Sequence, residues 1–124
     1  MDSVKILLVE DNVINQKLAN LCLSKWGMGV TIANHGKEAL NLIQSRDFQL
    51  VLMDLQMPEM DGYESTARIR AMEDPYFKTV PILAFSASSM IDSREKAMAF
   101  GMTDFVNKPL LVEELQDKIN TYVN

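Results

Sequence analysis

Cysteine is nearly missing from this chain: Cys22 stands alone, so no internal disulfide can form, and a reducing compartment suits it. No apolar run approaches the roughly 18 residues of a membrane span. The N-terminus lacks the basic-then-apolar pattern of a secretory signal. Basic charge is in short supply too, with 12 Lys and Arg against 17 Asp and Glu and a net charge of −5. That disfavours nucleic acid or an anionic membrane surface as primary partner, since both want a basic face, and it leaves room for a cation. Glycine is limited to 5 residues. None builds a glycine-rich loop after an apolar run, which excludes the usual cradle for a pyrophosphate. The chain has no linker, repeat or low-complexity stretch. Its 124 residues, 48% hydrophobic and 23% charged, are expected to form a single domain over 1–124. The expected location is cytoplasmic, including the cytosolic part of a membrane-anchored protein.

What is present alternates. Val4 to Val9 is a β-branched and leucine run of the kind that forms a fully buried strand, and it ends at Glu10-Asp11. Ile14, Leu18, Leu21 and Cys22 recur at helical spacing, closed by Gly27 and Gly29. Val30 to Ala33 reads as a second strand, Asn34-His35-Gly36 as a turn, and Ala39, Leu40 and Ile43 as a short helix. Leu50 to Met53 is the third strand, and a helix follows from Tyr63 to Met72, broken at Asp74-Pro75. Val80 to Phe85 is the fourth strand, with Pro81 near its start. A helix from Ser89 to Phe100 ends at Gly101; Asp104 to Val106 is a brief fifth strand; Leu111, Leu115, Ile119 and Tyr122 line a last helix. Strict alternation of strand and helix implies an α/β fold with parallel strands, right-handed crossovers and helices on both faces. Ligands of such sheets bind beyond the carboxyl ends of the strands.

The groups at those ends are Glu10 and Asp11, then Asp54, then Ser86, then Lys108. Converging carboxylates repel one another unless a cation intervenes. A hard divalent ion resolves the conflict, and Mg2+ suits a site that offers one or two carboxylates plus water and phosphate. Lys108 supplies a point charge for a phosphoryl oxygen, and Ser86 a hydroxyl donor. Together they would stabilise a transferring phosphoryl group, with Asp54 as a nucleophile forming an aspartyl phosphate. Each residue also has a plainer role. Glu10-Asp11 suits a helix cap, Ser86 alone suits a cap, and Lys108 alone suits a solvated surface. Asp54 stands about nine residues ahead of the next helix, too far to cap it. The joint placement at four strand ends carries the reading.

These residues resemble the receiver domain of two-component response regulators, over essentially the whole chain. The resemblance runs through Leu8-Val9-Glu10-Asp11-Asn12, Asp54 with Met57-Pro58 and Asp61-Gly62, Phe85-Ser86-Ala87, and Gly101 with Asp104-Phe105 and Lys108-Pro109. It implies a flavodoxin-like, doubly wound five-stranded parallel sheet of order 2-1-3-4-5 with five helices. It implies that Asp54 is the phosphoacceptor, that Asp11, Asp54 and the backbone carbonyl of Gln56 ligate Mg2+, and that Glu10 does so through water. By the same resemblance Ser86 swings toward the phosphoryl group, Phe105 is the aromatic switch that turns inward, and Lys108 pairs with the phosphate. The Lys108–Pro109 bond is then expected to be cis. The switched surface is the fourth helix, fifth strand and fifth helix. The stretch from Glu10 to Ala19 resembles receivers of hybrid sensor histidine kinases, with a stand-alone regulator as the alternative. The implied partner is a histidine kinase or a histidine-containing phosphotransfer domain, docking on helix one and the loops around Asp54 and Pro109. Dimerisation on phosphorylation is compatible with this reading.

Three rivals are weaker. A Mg2+-dependent aspartyl-phosphate phosphatase needs a second acid two residues after its nucleophile, where this chain has Gln56. A nucleotide or flavin binder lacks its phosphate loop. A degenerate scaffold would not retain Asp11, Asp54, Ser86 and Lys108 together. His35 reads as a surface turn residue, Cys22 as core packing, Trp26 as closing the helix-one face, and Met57 and Met60 as shielding beside Asp54.

Overall fold

The computed structural model describes residues 4–86, 91–107 and 111–123. Five strands, β1 (Lys5–Val9), β2 (Gly29–Ala33), β3 (Leu50–Asp54), β4 (Ile82–Ser86) and β5 (Asp104–Asn107), form one parallel sheet in the order β2-β1-β3-β4-β5. Among the described residues they alternate with α1 (Val13–Lys25), α2 (Gly36–Leu42), α3 (Gly62–Arg70), α4 (Pro75–Thr79), α5 (Ile91–Ala99) and α6 (Val112–Val123), and a 3-10 turn, Ile43–Ser45, extends α2. This is the expected doubly wound architecture with one helix more than the five anticipated.

The extra helix is α4, and its origin is local. α3 stops at Arg70, short of Met72 and five residues before Pro75, and Pro75 instead stands in the first turn of a new helix, where its missing N–H costs nothing. Asp74 caps that helix by accepting from the Tyr76 N–H at 2.8 Å. Val80, expected to open β4, instead ends α4 and donates its N–H to the Tyr76 carbonyl, so the strand begins after Pro81.

Side-chain alternation along the strands splits the core in two. Leu7, Val9, Val51, Met53, Ile82, Ala84 and Phe105 face one side and pack with residues of α2, α3, α4 and α5. Ile6, Leu8, Leu50, Leu52, Leu83, Phe85 and Val106 face the other and pack with Ala19 and Leu23 of α1 and Leu115 and Ile119 of α6. β1, β3 and β4 are apolar on both faces because both faces are covered.

The expectation for α1 needs correction. Ile14, Leu18 and Leu21 are 69%, 51% and 69% exposed, and the buried face is Gln16, Ala19 and Leu23. Cys22 is only partly buried, so it is not a core residue. The helix ends where glycine is needed: Gly27 adopts φ +81, the left-handed conformation that stops a helix. Trp26 packs against the α1/α6 core layer as expected.

Asp104, at the start of β5, ties three elements together. Its carboxylate accepts from Lys118 Nζ at 2.9 Å, from the Tyr122 hydroxyl at 2.6 Å and from the Phe105 N–H at 2.8 Å, with Arg94 Nη2 of α5 at 3.8 Å. Burial pushes this carboxyl up, but the hydrogen bonds from Lys118, Tyr122 and Phe105 outweigh it and hold it below the ordinary carboxylate range. A depressed folded pKa contributes stability above the unfolded value of about 3.9, and that contribution is lost as pH falls through the folded value. Asp104→Asn is therefore expected to lose about 1–3 kcal/mol near neutral pH. The gap to wild type in urea midpoint should narrow once pH drops below about 4. A constant gap across that range would show that the charge is not what stabilises.

Candidate functional site

Register decides which strand-end groups meet. Val9 lies opposite Met53 in the β1–β3 pairing, so Glu10 and Asp54 are abreast, one residue further along. Asp54 pairs with Phe85, and Ser86 pairs with Asn107, so β4 and β5 run out at the same rim. Glu10 is fully buried, Asp54 is 4% exposed and Ser86 is 3% exposed. Asp11 is exposed at the mouth. Carboxylate oxygens of Glu10, Asp11 and Asp54 all lie within 4.8 Å of one another.

Neither acid of the pair caps α1. That cap is Asn12, whose side chain accepts from the Asn15 N–H at 3.0 Å. Glu10 Oε2 accepts from the Asn12 N–H at 3.1 Å, and Asp54 Oδ1 accepts from the Gln56 N–H at 3.2 Å. The latter bond turns the chain at residue 56 immediately after the strand. Phe105 is buried, its ring in the core layer beneath α2 to α5. Lys108, Pro109 and the bond between them lie outside the described residues, as do Ala87 and Ser88. His35 is exposed as expected and caps α2, its Nδ1 accepting from the Glu38 N–H at 3.2 Å. Met57 is buried in the core layer that contains Met53.

Two residues to which the sequence assigned no role at the site shape it. Gly62 opens α3 against the end of β3, and a Cβ there would sit 2.2 Å from the Asp54 carbonyl oxygen. Gln16 is a buried amide on α1 that reaches the Glu10 backbone. The signal for the first was the Asp61-Gly62 pair, which carried part of the family resemblance and read locally as a turn. For the second it was a polar residue in helical phase with Ala19 and Leu23, hidden by the stronger apolar stripe beside it.

The family model for the response regulator receiver domain matches residues 6–120. The chain belongs to that family. The receiver is 39% identical over 124 residues to hybrid signal transduction histidine kinase I of Dictyostelium discoideum, a match covering 96% of the receiver but only 7% of the kinase. It spans a similarly small part of other curated histidine kinases that it matches. The receiver domain of a sensor histidine kinase from Pseudomonas aeruginosa, solved with a magnesium ion coordinated in its active site cleft, superposes with a TM-score of 0.90. The two are 34% identical, and the match covers 98% of each chain. A co-crystal structure from Saccharomyces cerevisiae pairs a histidine phosphotransfer protein with the receiver domain of its downstream response regulator. It matches with a TM-score of 0.87 and 31% identity over 98% of this receiver and 89% of that chain.

The receiver's donor set fits a hard divalent cation. Three oxygen-bearing acids converge, two of them buried, in an arrangement whose mutual repulsion a cation would relieve. Among the described residues no helix is long and apolar enough to cross a membrane.

Proposed function

We propose that this receiver takes a phosphoryl group from a phosphohistidine onto the Asp54 carboxylate. The observation that carries the reading is the clustering of Glu10 and Asp11 around a buried Asp54 at the carboxyl rim of the sheet. Asp11, Asp54 and the Gln56 carbonyl would hold Mg2+, with Glu10 reaching it through water. Bound there, the ion would neutralise charge developing on the phosphoryl oxygens. An Asp54 oxygen attacks phosphorus, the phosphorus–nitrogen bond breaks, and the imidazole leaves with the bonding pair. Ser86, at the end of the neighbouring strand, donates its hydroxyl to a phosphoryl oxygen, and Lys108 pairs with another. The receiver turns over no small substrate; it assists only the gain and loss of its own phosphoryl group.

The change in charge is what switches the domain: the acyl phosphate carries about −2 where the carboxylate carried −1. Ser86 moves to meet it and the Phe105 ring fills the space released. The responding surface is α5, β5 and α6, the elements that the Asp104 carboxylate already cross-links. Likeness to hybrid histidine kinases supports a parent protein of that kind.

The partner surface is α1. Val13, Ile14, Leu18 and Leu21 are all more than half exposed, and α1 begins directly after Glu10-Asp11. Leu111 and Val112, ahead of and at the start of α6, are exposed as well. The occupant is the helical histidine-bearing domain of a phosphotransfer protein or kinase. Covalent labelling of Asp54 tests the chemistry, and a charge placed on α1 tests the docking. Ile14→Asp with Leu21→Asp is expected to slow transfer from a phosphorylated histidine phosphotransfer domain about a hundredfold. Labelling by a small acyl phosphate should stay unchanged. Equal transfer rates for variant and wild type would move the docking face elsewhere.

A further inference from the structure

We propose that Gln16 is a positioning residue for the cation site. Its side-chain amide fixes the Glu10–Asp11 peptide and thereby where the Asp11 carboxylate reaches. This rests on the reading of Glu10, Asp11 and Asp54 as that site. Gln16 is 9% exposed and in helical phase with Ala19 and Leu23, which pack on the sheet. An amide in that position is costly unless its protons are used. Both are. Gln16 Nε2 donates to the Glu10 carbonyl at 2.5 Å and to Asn34 Oδ1 at 2.8 Å.

The orientation of Asn34 is itself set. Its Nδ2 donates to Glu38 Oε1 at 3.2 Å, and its backbone N–H donates to the same oxygen at 2.6 Å. The Asn34 amide oxygen is therefore the atom left to face Gln16. The chain from Glu38 through Asn34 and Gln16 to Glu10 gives both Gln16 amide protons an acceptor. On its other side, the Glu10 N–H donates to the Ala33 carbonyl at 3.0 Å. Glu10 is thus gripped at its N–H by β2 and at its carbonyl by α1. The carbonyl of Glu10 and the N–H of Asp11 share one rigid peptide plane. Holding that oxygen limits the rotation that would swing Asp11 away from Asp54. A leucine in place of Gln16 would suit the surrounding core and would remove this donor.

The test is a titration of the full chain with MgCl2, followed by NMR at the Asp11 and Gln56 amides. Gln16→Leu is expected to raise the Mg2+ midpoint about tenfold, the low end for a group acting one step behind a ligand. Asn34→Ala, at an exposed position, is expected to raise it about threefold. The double variant should match Gln16→Leu alone, because both act through one chain of bonds. Leu23→Ala, a core truncation on the same helix face, should lower the melting temperature and leave the midpoint alone. If Gln16 merely stabilises the fold, Gln16→Leu will behave like Leu23→Ala, and the proposal is overturned. Should Gln16→Leu fail to fold, a wild-type midpoint for Asn34→Ala overturns it. A wild-type chain that shows no titration brings down the cation-site reading itself. Titration that is lost in Asp11→Asn but unchanged in Gln16→Leu removes Gln16 alone.

Discussion

Incubated with acetyl phosphate and Mg2+, the wild-type chain is expected to gain the mass of one phosphoryl group, and Asp54→Asn none. The asparagine substitution preserves size and leaves the Gln56 N–H an oxygen to bond, replacing its present 3.2 Å contact with Asp54 Oδ1. What disappears is the anionic oxygen that attacks phosphorus while acetate departs with the pair from the cleaved P–O bond. An amide is no nucleophile for this step, so the loss should be complete within detection. Asp11→Asn separates the roles. It keeps the nucleophile and removes a charge from the cluster that spans 4.8 Å, so labelling should slow about a hundredfold. Chelating the divalent ion should act like Asp11→Asn in the wild type and add nothing to Asp54→Asn. Intact-mass spectrometry reads all of these. Equal labelling of Asp54→Asn and wild type would place the acceptor on another residue and end the mechanism.

Gly62→Ala is expected to be the most damaging single-methyl change in the chain. The reason is contact, since the new Cβ would lie 2.2 Å from the Asp54 carbonyl oxygen and 3.0 Å from the Asp54 carbonyl carbon and Leu55 Cα. All three are backbone atoms, so no side chain can rotate away. The first turn of α3 must retreat, which strains the Gly62 N–H bond to the Leu55 carbonyl, now 3.2 Å. The expected cost is about 2–4 kcal/mol, with a melting temperature lower by roughly 10 °C. Because the displaced atoms carry Asp54, labelling by acetyl phosphate should slow by at least about tenfold in the folded protein. Gly29→Ala supplies the control. Its Cβ would meet Lys5 Cγ and the Val4 carbonyl at 3.9 Å, ordinary contact, so stability should change by no more than about 0.5 kcal/mol. Similar melting of the Gly62→Ala and Gly29→Ala proteins would show that α3 is not pressed against β3 as described.

Much of this was open to inspection in the residues. Short apolar runs mark strands of a parallel sheet whose rim carries chemistry; two of them, Val4 to Val9 and Leu50 to Met53, end in acids, and Glu10, Asp11 and Asp54 do converge there. Other features misled because the residues permit two answers. α1 offers Ile14, Leu18 and Leu21 on one face and Gln16, Ala19 and Leu23 on another. Hydrophobicity alone favours burying the first. Pro75 starts a helix, where the rule that proline interrupts helices suggested only an end, and α3 has already stopped at Arg70.

Composition, periodicity and breaks determined the order of elements and which groups stand at strand ends, because those depend on neighbours along the chain. Only tertiary structure decided which stripe of α1 meets the sheet, that Gln16 grips the Glu10 carbonyl, and that Gly62 leaves no room for a methyl beside Asp54. Those are distances between segments far apart in sequence. They follow from how closely helix and sheet approach, a quantity no local pattern encodes.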